Sequence, residues 1–129
     1  MRFLHTADWQ LGKPYARVTD PDKRSQLRRE RYRAIGRIGS VAKEQGAAFI
    51  AVAGDLFDTH QPTKADVSSA CSAIGALGLP VLVIPGNHDH GGAGSCWQES
   101  YFVQECQQLA PNLTAVSYTH LTLPTTPYV

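Results

Sequence analysis

The chain has few cysteines, no long apolar run and no dominant charge, and each shortage removes a class of protein. Cys71, Cys96 and Cys106 are odd in number and lack the close pairing of a zinc knuckle, so they read as reduced thiols of a cytoplasmic protein. No stretch reaches the roughly 18 apolar residues that a membrane span needs. Met1-Arg2-Phe3-Leu4 runs into His5 and Asp8 too soon to form the apolar core of a signal peptide. No Gly-x-Gly-x-x-Gly loop follows the first apolar run, which argues against a dinucleotide binder. The formal net charge of +1 selects no partner.

The distribution of charge is more informative. Nine of the 12 basic residues, from Lys13 and Arg17 through Lys23, Arg24, Arg28, Arg29, Arg31, Arg33 and Arg37, fall in one stretch against Asp20, Asp22 and Glu30. Such a stretch either grips phosphates, with a salt dependence that grows with each contact, or forms the solvated face of a helix.

Apolar patterning predicts alternating strands and helices. Residues 2–7 form a strand. Asp20 and Pro21 open a helix as N-cap and first helical residue, with Leu27, Ala34, Ile35, Ile38, Val41 and Ala42 as its apolar stripe and Gly46 as its end. Residues 48–53 form an apolar run expected of a strand covered on both faces. Thr63 to Asp66 is a capping-box variant that opens a helix carrying Val67, Ala70, Cys71, Ile74 and Leu77. Residues 80–84 form a third strand and 99–109 a third helix. This order implies a largely parallel α/β sheet in a chain of 129 residues, one domain or part of one.

Three polar clusters, Asp8-Trp9-Gln10, Gly54-Asp55-Leu56-Phe57-Asp58 and Gly86-Asn87-His88-Asp89, each follow a predicted strand. Open parallel sheets bind ligands beyond the carboxyl ends of their strands, so residues distant in sequence meet there. Asp8, Gln10, Asp55 and Asn87 offer the hard oxygen donors that a divalent cation such as Mn²⁺ prefers. The two carboxylate oxygens of Asp55 suit it to bridging a pair of cations. His88, next to Asn87, can protonate a leaving oxygen, and Asp58 can orient its imidazole. Trp9 supports Asp8 or fills the core, His5 is expected as a packed core histidine, and His60 is a loop residue that can face substrate.

These motifs resemble the first three motifs of the calcineurin-like metallophosphoesterases. The flanks, Phe3-Leu4-His5-Thr6-Ala7-Asp8-Trp9-Gln10-Leu11-Gly12 and Gly54-Asp55-Leu56-Phe57-Asp58, resemble SbcD/Mre11-type nuclease subunits. The resemblance implies a sheet sandwich flanked by helices. It also implies a two-metal, usually Mn²⁺-dependent exonuclease and endonuclease of double-strand-break repair, working on DNA with an SMC-like ATPase of the SbcC/Rad50 type. A homodimer is compatible with it, and no membrane is involved. In that setting Lys13, Arg17 and His60 are candidate DNA contacts.

Two departures qualify the resemblance. Gln10 stands where the family usually has His, which offers an amide in place of an imidazole. The later His and His-x-His motifs are absent, so residues 1–116 are expected to be the N-terminal half of the domain, inactive alone and with an apolar sheet face uncovered. Residues 117–129 carry no charge but four Thr and two Pro, and resemble translated vector or adapter sequence or a disordered tail. Other readings are a phosphatase or small-molecule phosphodiesterase of the same superfamily, and a non-catalytic binding module.

Overall fold

The structure, a computed structural model, describes residues 1–59, 62–84 and 100–115. Among these described residues, four strands and three helices alternate as β1 (Phe3–Thr6), α1 (Pro21–Glu44), β2 (Phe49–Ala53), α2 (Lys64–Gly75), β3 (Val81–Ile84), α3 (Ser100–Leu109) and β4 (Leu113–Ala115). The strands lie in sequence order, β1-β2-β3-β4, and every pairing is parallel.

Local chemistry sets the helix ends. Asp20 is extended and accepts from the Asp22 N–H at 2.9 Å, with Pro21 preset for the first turn. Thr63 caps α2 by accepting from the Asp66 N–H at 3.1 Å, while its own hydroxyl donates to Asp66 Oδ2 at 2.9 Å. After α1 the chain turns through Gly46, whose φ of 69° favours a residue without a Cβ.

One face of the sheet carries the core. Ile50, Val52, Val81 and Val83 are buried against Ile35 and Ala42 of α1, Val67, Ala70, Cys71 and Ile74 of α2, and Phe102 of α3. Burying a side chain of this size contributes about 1.5–3 kcal/mol. Leu27 and Val41, expected in the α1 stripe, are instead 38% and 47% exposed, and Gly39 takes a buried place on that helix.

The opposite face is open among the described residues. Phe3 stacks on Phe49 with ring centroids 5.0 Å apart, yet Phe3 remains 56% exposed, and Leu82 and Ile84 are exposed beside it. Two expectations are corrected by this. Among the described residues β2 is covered on one face only, with Ile50 and Val52 buried and Ala53 exposed. His5 is not a packed core histidine: the two-residue period of β1 puts it on the open face with Phe3. An apolar run alone does not distinguish a strand covered twice from one covered once.

Candidate metal centre

The pairing of β1 with β2 continues beyond both strands and draws the first two clusters together. Asp8 N donates to Gly54 O at 3.2 Å, Gln10 N to Asp55 O at 2.8 Å, and Leu11 N to Leu56 O at 2.9 Å. Leu11 forms a parallel bridge with Phe57, in the same register that places Phe3 opposite Phe49. Asp58 N then donates to Leu11 O at 3.0 Å. Asp8, Gln10, Asp55 and Asp58 are thus gathered at the carboxyl ends of two adjacent strands.

This gathering requires strained backbone. Among the described residues the non-glycine positions with positive φ are Asp8 (56°), Gln10 (46°), Tyr15 (54°) and Asp55 (53°). Left-handed backbone costs an L-residue about 1–2 kcal/mol, somewhat less for Asp. Three of the four are candidate ligands, and strain of this kind concentrates at functional sites because packing holds it there.

The supports come from the core and from α1. Leu11, Leu56 and Phe57 are fully or almost fully buried, and Trp9 is 7% exposed with its indole N–H donating to Thr6 Oγ1 at 3.0 Å. Arg31 of α1 donates to the Trp9 carbonyl at 2.7 Å and to the Tyr15 hydroxyl, and its guanidinium lies 5.5 Å from the Tyr15 ring centroid. Arg31 therefore clamps the peptide between Asp8 and Gln10. Sequence reasoning placed it within a basic stretch, with no sign that it turns inward.

Asp66 is a second support that the motifs did not reveal. Its carboxylate is buried and accepts from the Tyr32 hydroxyl at 3.1 Å and from Thr63, with Arg28 3.8 Å away. A Cβ on Gly12 would lie 2.7 Å from Asp66 Oδ2, so the loop after Gln10 passes directly over this carboxylate.

Lys13, Arg17 and Asp58 meet around a cleft of about 500 Å³, which Tyr15 also lines. The Lys13 ammonium sits 5.8 Å from the Tyr15 ring centroid. Elsewhere in the basic stretch, Arg33 and Arg37 face Glu30 at 2.9 and 3.7 Å, as a solvated helix face does. Asn87, His88 and His60 lie outside the described residues.

Asp8, Gln10 and Asp55 supply two carboxylates and an amide, a hard oxygen set that fits Mg²⁺ or Mn²⁺ in kind. Among the described residues no group of three or more His, Cys, Asp or Glu converges as a metal site. The family model for calcineurin-like phosphoesterases matches residues 1–125, a span that holds all three polar clusters and most of the uncharged tail.

Proposed function

The chain belongs to the calcineurin-like phosphoesterase family, whose members are metal-dependent hydrolases of phosphoesters, and we propose that its substrate is DNA. The observation that carries the metal-dependent chemistry is the pairing of strained Asp8 and Gln10 with Gly54 and Asp55 at the ends of β1 and β2. The choice of DNA rests on the SbcD/Mre11-like flanks and on Lys13 and Arg17 beside Asp58.

In this reading Asp8, Gln10, Asp55 and Asn87 would hold divalent cations, with Mn²⁺ favoured. Bound cations supply charge neutralisation at the phosphoryl oxygens and lower the pKa of water. His88 delivers a proton to the leaving oxygen, and Asp58 holds its imidazole in the productive orientation. Lys13 and Arg17 neutralise flanking phosphates, which makes binding weaken with salt. Further histidine ligands are supplied from outside residues 1–116 in the parent protein, which works with an SMC-like ATPase.

The test is Mn²⁺-dependent degradation of linear duplex DNA by the parent protein, wild type against Asp55→Ala and His88→Ala. Both substitutions abolish cleavage, and the His88 variant retains Mn²⁺ while the Asp55 variant loses it. Cleavage that survives both substitutions refutes the mechanism. Turnover of a small phosphodiester with DNA left intact identifies a phosphodiesterase of the same superfamily instead.

A further inference from the structure

Away from the strand ends, two helices bring a pair of thiols into contact. Cys71 on α2 and Cys106 on α3 have their sulfurs 3.8 Å apart. Their helices are fastened on both sides of the pair. Toward the start of α2, Ser68 Oγ donates to Glu105 Oε2 at 2.9 Å and lies 3.0 Å from the Tyr101 hydroxyl. Toward its end, Gly75 packs directly against the Leu109 carbonyl. Packing therefore holds the two sulfurs near one another, 3.8 Å apart against the roughly 2.0 Å of a disulfide bond.

The two thiols differ in accessibility. Cys71 is 1% exposed, whereas Cys106 is partly exposed. The hydrogen bond with Cys106 holds the Cys71 thiol below its ordinary value, although burial and the Glu105 carboxylate push it up. An oxidant thus reaches Cys106 first, and the resolving thiol is already in place behind it.

We propose that Cys71 and Cys106 form a site of reversible oxidation, closing to a disulfide that ties α2 to α3 when the protein meets a low-molecular-weight disulfide such as glutathione disulfide. The Cys106 thiolate attacks one sulfur of the oxidant, forming a mixed disulfide and releasing one glutathione thiolate. The Cys71 thiolate then attacks Cys106 Sγ, the mixed disulfide breaks, and the second glutathione departs. The two protein thiols give up two electrons and two protons, and the oxidant takes up both as two thiols.

Peptide mapping tests this on the folded chain. Cleavage before Asp66 and Asp89 and after Glu99 and Glu105 puts Cys71, Cys96 and Cys106 on separate peptides. After incubation with glutathione disulfide and thiol blocking, the expected product links the peptides of Cys71 and Cys106, and dithiothreitol removes the link. Cys71→Ser leaves glutathione trapped on Cys106, while Cys106→Ser leaves the buried Cys71 unmodified. The proposal is overturned if Cys96 takes the place of either partner. It is equally overturned if Cys106 of the wild type keeps its glutathione, or if neither thiol reacts until the chain is unfolded.

Discussion

The backbone N–H of Gln10 donates to the Asp55 carbonyl at 2.8 Å, and both residues hold left-handed φ, 46° and 53°. The bond joins two polar clusters that are far apart in sequence, and it keeps each in a conformation it would leave if released. The buried side chains of Leu11, Leu56 and Phe57 are what oppose that release. Strain at the candidate ligands is thus offset by burial immediately next to them.

Removing the Cβ at position 10 should expose this strain. Gln10→Gly is expected to stabilise the chain by up to about 1 kcal/mol, the left-handed penalty less glycine's extra backbone entropy in the unfolded state. Gln10→Val should cost about 1–2 kcal/mol, because a β-branched residue tolerates positive φ least. Urea unfolding followed by the fluorescence of buried Trp9 measures both, and a glycine variant less stable than wild type would show that the side chain contributes more than its conformation costs.

Gly12 and Asp66 should prove energetically coupled. Gly12→Ala meets a φ of 82° and a carboxylate oxygen 2.7 Å from the new Cβ, and Asp66 is tied to Tyr32 and Thr63. The expected loss is about 2–3 kcal/mol, of which about 1 kcal/mol is backbone strain. In an Asp66→Ala background the clash disappears and only the strain remains. A double-mutant cycle in urea therefore gives a coupling energy of about 1–2 kcal/mol, and a cycle that sums to zero would place the two groups apart.

What was legible in the sequence followed from local chemistry. Asp20-Pro21 and Thr63 to Asp66 carry their capping bonds within a few residues, so α1 and α2 begin where the sequence puts them. The apolar runs located β1, β2 and β3, and the clusters after β1 and β2 do stand at strand ends. β4, with three residues, is too short for a periodicity signal. The left-handed turns at Asp8, Gln10 and Asp55 depend on pairing between β1 and β2, and the inward turn of Arg31 depends on where Trp9 and Tyr15 come to rest. Neither leaves a trace in residue spacing.

At Gly75 helix propensity and packing pull in opposite directions, and packing should win. Gly→Ala inside a helix normally gains about 1 kcal/mol. Here the new Cβ would overlap the Leu109 carbonyl at the end of α3, and backbone cannot yield as a flexible side chain does. Gly75→Ala is expected to lose about 2–3 kcal/mol on balance, by displacing α3 from α2. Hydrogen exchange should report the loss in α3 before α1, and unchanged protection of α3 would contradict the close approach.

Alkaline pH should act through Tyr32. Burial, first, and then the Asp66 carboxylate that accepts its hydrogen bond push the phenol well above its ordinary value, with Arg28 opposing. In the unfolded chain Tyr32 ionises near about pH 10, so above that pH the unfolded state binds fewer protons than the folded one. Stability from this group is therefore complete below about pH 10 and falls as pH rises toward the higher folded value. Tyr32→Phe, which keeps the ring and removes the proton, should be less stable than wild type near neutrality because Asp66 loses a donor. The gap should narrow as pH rises past about 10, since only the wild type carries this slope. Denaturant midpoints of both proteins across that range decide it, and parallel pH profiles would mean that Tyr32 ionises as freely in the folded protein as in the unfolded one.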